Sequence, residues 1–581
     1  MAFQLSPGVN VSEIDLTTVV PSVSTSAGAF AGRFLWGPVN KRVLIPDEIT
    51  LAAQYGQPDS NTFVSFFTCA SFLAYGNNLT VVRAANTNAY NADSNTSSLP
   101  LQITNEDVFQ ASYLGQNNSN LYGPFVARYP GALGNSLTVS ILDAGVLQSN
   151  GAIYSNNFTN WAYASQFTGS PNTSVQVSTA GGSYDELHIA VIDTGGLFSQ
   201  GVKNTVLEVY PFVSKALNSI DSLGNSNYYK QVIFDNSKYI YAIDPPSYAN
   251  TSATWGQSIT TSFATIPSSF GNTYSLAAGT DAAPTDANLT NAYSQFTNPD
   301  EVDISLVLSG NASTTVQQYI IDNIANSRKD CVAFISPPSS AVINQGGSES
   351  AQIATWLNDP TTGLNRSTSY AVVDSGWKYM FDKYNNTYRW IPLNADIAGL
   401  CVYTDQVRDA WWSPAGFNRG NLKNVVRLAW NPNKTYRDAL YSIGVNPVAT
   451  FPGQGTVLYG DKTLQAKPSA FDRINVRRLF IVLEKSIAKA AKYSLFEFND
   501  EFTRAQFVAL VTPFLRDIQG RRGIYDFRVV CDTTNNTGQV IDSNQFVGDI
   551  YIKPARSINF IQLNFVAVRT GVDFTEVVGK F

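Results

Sequence analysis

The chain of 581 residues has one histidine, and it lacks the motifs GxSxG, HExxH and GxGxxG. A lone imidazole excludes metal sites built from several histidines and most templates that pair a nucleophile with histidine. Because His188 lies in the strand-like stretch ELHIAVID, we expect it to be a structural residue. The nearest phosphate-loop pattern, GTVLYGDKT at residues 455–463, has Asp461 where a lysine is needed. The sequence therefore predicts no catalytic site, no metal site and no cofactor.

Charged residues are scarce, at 14% of the chain against about 25% in an ordinary soluble domain. Interface cores are depleted in charge, so part of the surface is expected to be buried against other copies. The formal net charge of −6 gives no electrostatic reason to expect a nucleic-acid partner. The charge is uneven, because Phe471 to the end carries 15 Lys and Arg against 12 Asp and Glu, while the rest carries 23 against 32.

The four cysteines are scattered, with no CxxC spacing, and are predicted to be buried thiols in a reducing cytoplasm. No stretch approaches the roughly 18 apolar residues of a membrane span, and the N-terminus shows no signal-peptide pattern. We therefore expect no insertion into a membrane.

Both ends of the chain read as β-strands. In FQLSPGVNV, the apolar residues alternate with polar ones, and Pro7 places the strand at a sheet edge. The last residues, TGVDFTEVVGKF, are also strand-like. Terminal strands fray unless something pairs with them.

Between the ends, α/β units flank a polar insertion. A helix at FVSFFTCASFLAYG precedes the buried strand LTVVRA, and the same alternation resumes with VDISLVLSG, TVQQYIIDNIANS and CVAFISPP. The residues between about 89 and 300 are rich in Asn, Ser, Thr and Gly, which is typical of exposed β insertions. Within them, TVLEVYPFVSKALNSI has apolar residues at helical spacing and predicts a helix packed on a sheet.

The C-terminal region predicts a compact α+β domain. NVRRLFIVLEKSIAKAAKY has an apolar face and an opposite basic face. A second helix is predicted after Asn499 and Asp500, re-initiated at Pro513 and stopped by Gly520. Three strands follow, GIYDFRVVCD, FVGDIYIKP and SINFIQLNFVAV, and the terminal strand is left over.

Several stretches, taken in order, resemble the tail sheath proteins of contractile-tailed bacteriophages. They are SPGVNVSEID, AFAGRFLWGPVNK, Gly56 and Pro58 in QYGQP, Arg83 in TVVRA, WKYMFDKYNNTYRWIPLNADIAGL, WWSPAGFNRG and INVRRLFIVLEKSI through the end. They cover roughly residues 1–88 and 300–581. The chain has Asn10 where the family often has tyrosine, and residues 89–300 match only loosely.

The resemblance implies an α/β and α+β multidomain chain: a discontinuous α/β core, a mostly β insertion, and a C-terminal α+β domain completed by strand exchange between subunits. The implied divisions are an N-terminal arm (1–22), a middle domain (23–88 with 300–470), an outer insertion of one or two domains (89–299), an inner domain (471–569) and a C-terminal arm (570–581).

The resemblance also implies a structural, non-enzymatic subunit that polymerises helically around a tail tube and contracts to drive that tube through the host envelope. The expected partners are further copies in stacked rings, the tail tube protein, and baseplate and tail terminator proteins. The expected location is the virion tail, after assembly in the host cytoplasm. The residues assigned on this basis are Phe3, Leu5, Val9 and Val11 in the N-terminal arm; Val572, Phe574, Val577 and Val578 in the C-terminal arm; Gly571 as a hinge; and Arg477, Arg478, Lys485, Lys489 and Lys492 facing the tube.

Three other interpretations stay open at this point. A bacterial contractile injection apparatus or phage-derived bacteriocin would use a similar sheath. A polysaccharide-binding or polysaccharide-degrading tail component would fit the aromatic, Asn-rich middle, with carboxylates such as those in DQVRDAWW. A capsid subunit fits less well.

Overall fold

The computed structural model describes residues 20, 23–95, 99–115, 121–147, 153–154, 158–248, 250–266, 271–559 and 561–563. The chain divides into two compact units. One comprises residues 22–410 and 414–485, and the other comprises residues 411–413 with the residues from Ser486 onward. Each contains both helices and strands, so the chain is a mixed α/β, multidomain protein.

The larger unit begins with an α/β segment of short strands, of which the first and third are largely buried. Its elements are β1 (Gly28–Gly32), β2 (Arg42–Ile45), α1 (Glu48–Tyr55), α2 (Phe63–Leu73) and β3 (Leu79–Arg83). Asp47 caps α1 by accepting a hydrogen bond from the backbone N–H of Thr50 at 2.7 Å.

The following segment is longer and carries many short elements. These are α3 (Glu106–Ser112), β4 (Phe125–Ala127), β5 (Leu137–Asp143), β6 (Val146–Leu147), β7 (Ile153–Tyr154), α4 (Val175–Thr179), β8 (Glu186–Asp193), β9 (Thr205–Ser214), α5 (Tyr229–Asn236), β10 (Ile240–Ala242), α6 (Thr251–Thr254), β11 (Asn272–Ser275) and α7 (Asp286–Ser294).

The α/β alternation then returns. The elements are β12 (Leu306–Leu308), α8 (Thr314–Tyr319), which continues through a π-helical turn into α9 (Asn326–Arg328), β13 (Val332–Ile335), α10 (Ser339–Val342), α11 (Glu349–Asn358), β14 (Ala371–Asp374), β15 (Trp377–Asp382), β16 (Thr387–Pro392), α12 (Asn394–Val407), β17 (Arg427–Leu428), α13 (Lys434–Ser442), β18 (Val445–Asn446), β19 (Val448–Phe451) and β20 (Gly455–Leu458).

One seven-stranded sheet joins the two α/β segments in the order β18-β14-β13-β12-β1-β3-β2. Strand β1 lies between β12 and β3, with Phe30 opposite Leu308 of β12 and Val81 of β3. All neighbours are parallel except β2, which pairs antiparallel with β3. Segments separated by more than 200 residues of sequence therefore build a single parallel sheet, which must be covered on both faces.

Apolar side chains cover both faces of this sheet. One cluster includes Phe66 and Phe67 of α2 with Leu400 of α12. The other includes Tyr293 of α7 and Ile320 of the π-helical turn. Helix α7 thus belongs to the sheet's core although its residues were assigned to the 89–299 insertion, because its tyrosine reaches across to donate to the Leu308 carbonyl at 2.7 Å.

The insertion contains a four-stranded antiparallel sheet in the order β11-β5-β8-β9. The helix predicted for TVLEVYPFVSKALNSI is wrong over its first part, because residues 205–214 form β9 and pair with β8. Two register shifts and the left-handed backbone of Phe212 (φ 50°) break the strict alternation of side chains. Leu217 and Ile220, expected to be core residues, are exposed.

A buried arginine connects the insertion to the central sheet. The guanidinium of Arg83, at the end of β3, donates to the carbonyl oxygens of Phe34 (3.0 Å), Leu35 (3.2 Å), Gly37 (2.8 Å) and Pro130 (2.7 Å). Burial lowers the pKa of Arg83 to about 10. Because Pro130 lies in the insertion and the other three follow β1, one side chain fixes both segments.

Polar groups at the carboxyl edge of the sheet form a closed, buried network. The Ser336 hydroxyl and the Gly376 backbone N–H both donate to the Asp374 carboxylate, at 2.6 and 2.9 Å. Asn394, at the start of α12, donates from its backbone to the Ser336 hydroxyl and from its side chain to the Gly310 carbonyl, both at 2.9 Å. Burial raises the pKa of Asp374 to about 8.

This raised pKa predicts a pH dependence of stability. Aspartate in an unfolded chain has a pKa of about 4, so between about pH 4 and pH 8 the folded chain binds more protons than the unfolded chain, and stability falls as the pH rises. The variant Asp374→Asn has an amide in place of the carboxyl group, so it lacks this proton-binding site. We expect the unfolding free energy of the wild-type chain to fall relative to this variant by about 2 kcal/mol between about pH 6 and about pH 8. Urea unfolding of both proteins measures this, and parallel pH profiles would contradict a neutral, buried Asp374.

The smaller unit contains the end of α14 (Ile474–Ala491), α15 (Glu501–Gly520), β21 (Ile524–Val530), α16 (Gly538–Asp542) and β22 (Asp549–Pro554). Asp500 caps α15 by accepting from the Thr503 backbone N–H at 2.8 Å, and the helix ends at Gly520, both as predicted. The predicted restart at Pro513 is wrong, because α15 runs through that residue without interruption. The division between the units falls within α14, at Ser486, and not at residue 471.

Candidate functional site

The two-stranded sheet of the smaller unit is incomplete on both sides. Strands β21 and β22 pair antiparallel from Ile524 opposite Pro554 to Val530 opposite Asp549. Among the residues that the structure describes, neither strand has a second partner. A sheet of two strands is marginal by itself, and its open edges are templates for a strand from elsewhere.

An apolar groove of about 550 Å³ lies between α15 and β21. Its lining consists mainly of small or apolar side chains: Ala505, Val508, Ala509, Thr512 and Pro513 from the helix, and Val529, Cys531 and Asp532 from the strand and the residues after it. An adjacent face of α15 buries Phe507, Val511 and Leu515. The helix therefore packs on its own unit with one face and leaves a second weakly polar face open.

The smaller unit exposes many large apolar side chains. They are Tyr493, Leu495, Phe496, Phe498, Phe502, Tyr525, Tyr551, Ile558, Ile561 and Leu563. Scattered exposed hydrophobics are normal on a monomer, but a concentration of them marks a surface that another chain covers.

The basic face predicted for α14 is only partly exposed. Arg477 and Arg478 are buried, with 5% and 4% of their surface exposed. The guanidinium of Arg477 lies over the rings of Tyr370 (4.2 Å) and Phe471 (4.0 Å). Arg478 donates to the Asp405 carboxylate at 2.6 Å. The assignment of these two arginines to an exposed, tube-facing surface is wrong, because they hold α14 within the larger unit.

The three lysines of the same face differ from one another. Lys485 is half-buried and donates to the Asp303 carboxylate at 2.6 Å and to the Ile304 carbonyl at 3.0 Å. Lys489 and Lys492 are exposed, one at the end of α14 and one in the turn that follows it. Only these two remain candidates for binding a partner.

The predicted arm residues lie outside the described residues. This holds for Phe3, Leu5, Val9 and Val11, for Val572, Phe574, Val577 and Val578, and for the hinge candidate Gly571. Their roles stay predictions.

His188 is a structural residue, as predicted. It is fully buried in β8, where its Nε2 contacts the Gly169 carbonyl at 2.6 Å and its Nδ1 accepts from the Phe212 backbone N–H at 3.1 Å. The Phe167 ring stacks on it at 4.4 Å. Burial lowers the pKa of His188. With both nitrogens engaged and the ring enclosed, this imidazole has no position for substrate.

The other residues considered for phosphate binding, metal binding or disulfide formation are also buried. Asp461 is buried and accepts from the Tyr441 hydroxyl at 3.3 Å. All four cysteines are buried and unpaired. Within the described residues, no cluster of His, Cys, Asp and Glu side chains could hold a metal ion. No helix among those residues is both long enough and apolar enough to span a membrane.

Two tryptophans join the smaller unit from a distant part of the sequence. The indole N–H of Trp411 donates to the Arg521 carbonyl at 3.2 Å, and the Arg521 guanidinium lies 5.0 Å above the same ring. Arg522 lies over Trp412 at 5.4 Å. Nothing in the sequence pattern indicates this contact, because the partners are 110 residues apart. The sequence analysis also missed the groove, although small or apolar residues recur three and four positions apart along α15.

Family models match the C-terminal half of this chain, and known proteins match nearly its whole length. Residues 282–464 match the phage tail sheath protein central domain, and residues 466–567 match the phage tail sheath C-terminal domain. The tail sheath protein of Vibrio phage KVP40 is 37% identical, over 99% of this chain and 100% of that protein. The tail sheath protein of Enterobacteria phage T4 is 32% identical, over 99% of each.

The fold is also similar to a solved structure. The crystal structure of a sheath tail protein from Listeria innocua superposes with a TM-score of 0.53 at 10% identity, covering 93% of this chain and 97% of that one. At this identity the likeness concerns the fold alone.

Proposed function

The chain belongs to the phage tail sheath protein family, and from this premise we propose that its copies polymerise helically around a tail tube and contract to drive the tube through the host envelope. The observation that carries the proposal is the incomplete sheet of the smaller unit beside an apolar groove. Such a site is suited to receive an extended, apolar strand.

The strands that complete this sheet come, in our proposal, from neighbouring copies. The N-terminal arm offers Phe3, Leu5, Val9 and Val11, and the C-terminal arm offers Val572, Phe574, Val577 and Val578. Donation of a strand to the next copy is a heterologous contact that does not close on itself, so it propagates into stacked rings.

Contraction requires two packings of the same subunits, with the shorter and wider one lower in free energy. The strand pairs persist while chain segments such as Gly571 absorb the rotation. No step of this cycle uses a nucleotide, a cofactor or an enzymatic reaction. The proposed partners besides further copies are the tail tube, baseplate and tail terminator proteins, with assembly in the host cytoplasm and residence in the virion tail.

Negative-stain electron microscopy of the purified chain tests this function. We expect long tubes with regular striations. A protein that stays dispersed at all concentrations would contradict it. The relatives are phage proteins, which favours a phage tail over a bacterial injection apparatus.

The exposed lysines at the end of α14 are proposed to face the tube. The double substitution Lys489→Glu and Lys492→Glu reverses two charges without touching a buried contact. Attraction to carboxylates then becomes repulsion, so we expect assembly on tubes to be lost while tube-free polymers still form. Co-sedimentation with tail tubes measures the first effect and electron microscopy the second.

A matched control makes the same charge change elsewhere. Lys434 and Lys467 are exposed residues of the larger unit, and Lys434→Glu with Lys467→Glu is expected to leave tube binding intact. Equal loss in both double variants would show an effect of net charge and would remove Lys489 and Lys492 from the tube contact.

A further inference from the structure

The core of the larger unit contains a buried lysine that the proposed function does not use. Lys378, near the start of β15, has 1% of its side chain exposed, and Asp396, in the first turn of α12, has 0%. The Lys378 ammonium donates to Oδ1 of Asp396 at 2.8 Å. A lysine held in this way against a carboxyl group, away from water, is placed to react with it as well as to pair with it.

The groups around this pair offer too few hydrogen bonds for two charges. Within the described residues, the second carboxylate oxygen of Asp396, Oδ2, is buried and accepts no hydrogen bond. An ammonium group has three protons to donate, but among the groups that the structure describes the Lys378 ammonium meets, besides Asp396, only the Lys423 carbonyl at a long 3.4 Å. Buried charges that lack partners are strongly destabilising. Burial accordingly raises the pKa of Asp396, which favours the neutral acid beside a neutral amine.

An amide between the two side chains matches the hydrogen-bonding partners that are present. Its single N–H has an acceptor in the Lys423 carbonyl. Its single carbonyl oxygen has a donor in the Tyr75 hydroxyl, which lies 3.5 Å from Oδ1 of Asp396. The same hydroxyl is fixed by the Lys423 backbone N–H, which donates to it at 2.7 Å. The site therefore satisfies an amide more fully than it satisfies an ion pair.

A second buried lysine and aspartate show a fully satisfied ion pair for comparison. The Lys215 ammonium donates to the Asp143 carboxylate and to two backbone carbonyl oxygens, so all of its protons are used. These oxygens belong to Tyr184 (2.8 Å) and Ala264 (3.2 Å). The Asp143 carboxylate also accepts from the backbone N–H of Ile266 at 2.8 Å. Both pairs are equally buried, so the difference between them lies in the partners of the charged groups.

We propose that Lys378 and Asp396 condense after folding into an isopeptide bond within the chain. The Lys378 nitrogen attacks the carboxyl carbon of Asp396, an N–C bond forms, and the bond from that carbon to Oδ2 breaks. Oδ2 leaves as water with two protons from the ammonium group, which keeps its third proton as the amide N–H. No oxidant, reductant or further reactant takes part. Proximity within the folded core makes the attack an intramolecular step, which is why it follows folding.

The bond ties the start of β15 to the start of α12 across the hairpin of β15 and β16. Its two residues are 18 positions apart, so it closes a small loop that the fold already contains. A covalent link of this kind constrains the unfolded chain and resists a pulling force that ruptures hydrogen bonds. Because the bond forms within one subunit, it does not depend on polymerisation or on the proposed function.

Mass spectrometry of the denatured, full-length chain tests this bond. We expect most wild-type molecules to weigh about 18 Da less than the sequence requires, which is the mass of one water. Trypsin should leave residues 367–383 uncleaved after Lys378 and joined to residues 390–408, which contain Asp396. The variant Lys378→Met has no amine and should have its full sequence mass. The digest should also contain the Lys215 and Asp143 peptides without a link between them.

Several results would overturn the isopeptide bond. One is a wild-type chain of full sequence mass, or a digest in which trypsin cleaves after Lys378 in most molecules. Another is a mass deficit that persists in Lys378→Met, because the water would then be lost elsewhere. A link between Lys215 and Asp143 would refute the role of unmet hydrogen bonds. If Lys378→Met failed to fold, the wild-type digest would still decide the question.

Discussion

Removal of residues 570–581 is expected to abolish polymerisation, leaving folded, soluble subunits. The described part of the smaller unit keeps its helices and its β21–β22 pair, so the truncated chain should fold, but it lacks the C-terminal strand that we expect every contact between copies to require. A heterologous polymer in which every copy lacks the donor cannot grow beyond single subunits. Electron microscopy and sedimentation measure the effect. Normal contractile tubes from the truncated chain would refute strand exchange by the C-terminal arm.

A substitution in the groove that receives the strand should also abolish polymerisation, because the donated strand can no longer enter. Ala509 is exposed in the groove, and Ala509→Arg fills that space with a long, charged side chain without disturbing the buried face of α15. Gln506→Arg, on the same helix but outside the groove lining, is the matched control and should polymerise normally.

Mixing the two defective proteins sharpens the test. The truncated chain has an open groove but no C-terminal strand, and Ala509→Arg has that strand but no open groove. A mixture should therefore form one-to-one dimers and no tubes. Tubes from the mixture would show that the defects do not act on one contact.

Substitution of Arg83 is expected to have the largest effect on stability. Arg83→Met removes four hydrogen bonds and leaves the carbonyl oxygens of Phe34, Leu35, Gly37 and Pro130 without their donor. Each buried, unsatisfied polar group costs about 1–3 kcal/mol. We expect a loss of about 3–5 kcal/mol or more in the unfolding free energy, and poor recovery of soluble protein.

The neighbouring residue Arg33 provides a control. It is partly exposed, and Arg33→Met should change stability by less than about 1 kcal/mol. Arg83→Lys should fall between the two, since an ammonium group has only three donors for four acceptors. Urea unfolding of the three variants measures their unfolding free energies and so tests this order of stability. An Arg83→Met chain as stable as the wild type would contradict the role of Arg83 as the connection between sheet and insertion.

Periodicity in the sequence predicts the elements of the core well. FVSFFTCASFLAYG forms α2 and CVAFISPP forms β13, as predicted. Each of these elements packs against only one or two neighbouring layers, so the pattern of apolar residues is enough to indicate its conformation. The same approach failed for TVLEVYPFVS, where the shifted pairing of β9 with β8 mimics helical spacing. The conformation of that segment depends on its pairing with β8. The pattern of one sequence does not show which strand pairs with which.

The candidate site shows the same limit. The sequence predicts that the basic residues of α14 share one helix face, but a helical wheel does not reveal what lies against that face. Arg478 meets Asp405, 73 residues away, and Arg477 meets Tyr370, 107 residues away. Only the structure separates these buried arginines from the exposed Lys489 and Lys492.

In the assembled polymer, we expect a strand from another copy to complete the sheet beside β21 in the groove of α15. Cryo-electron microscopy of the assembled polymer, at a resolution that traces side chains, tests it most directly. The expected map shows an extended segment in the groove, against Ala505, Ala509 and Val529, whose chain connects to a neighbouring subunit. A groove that is empty, or filled by a strand of the same chain, would contradict it.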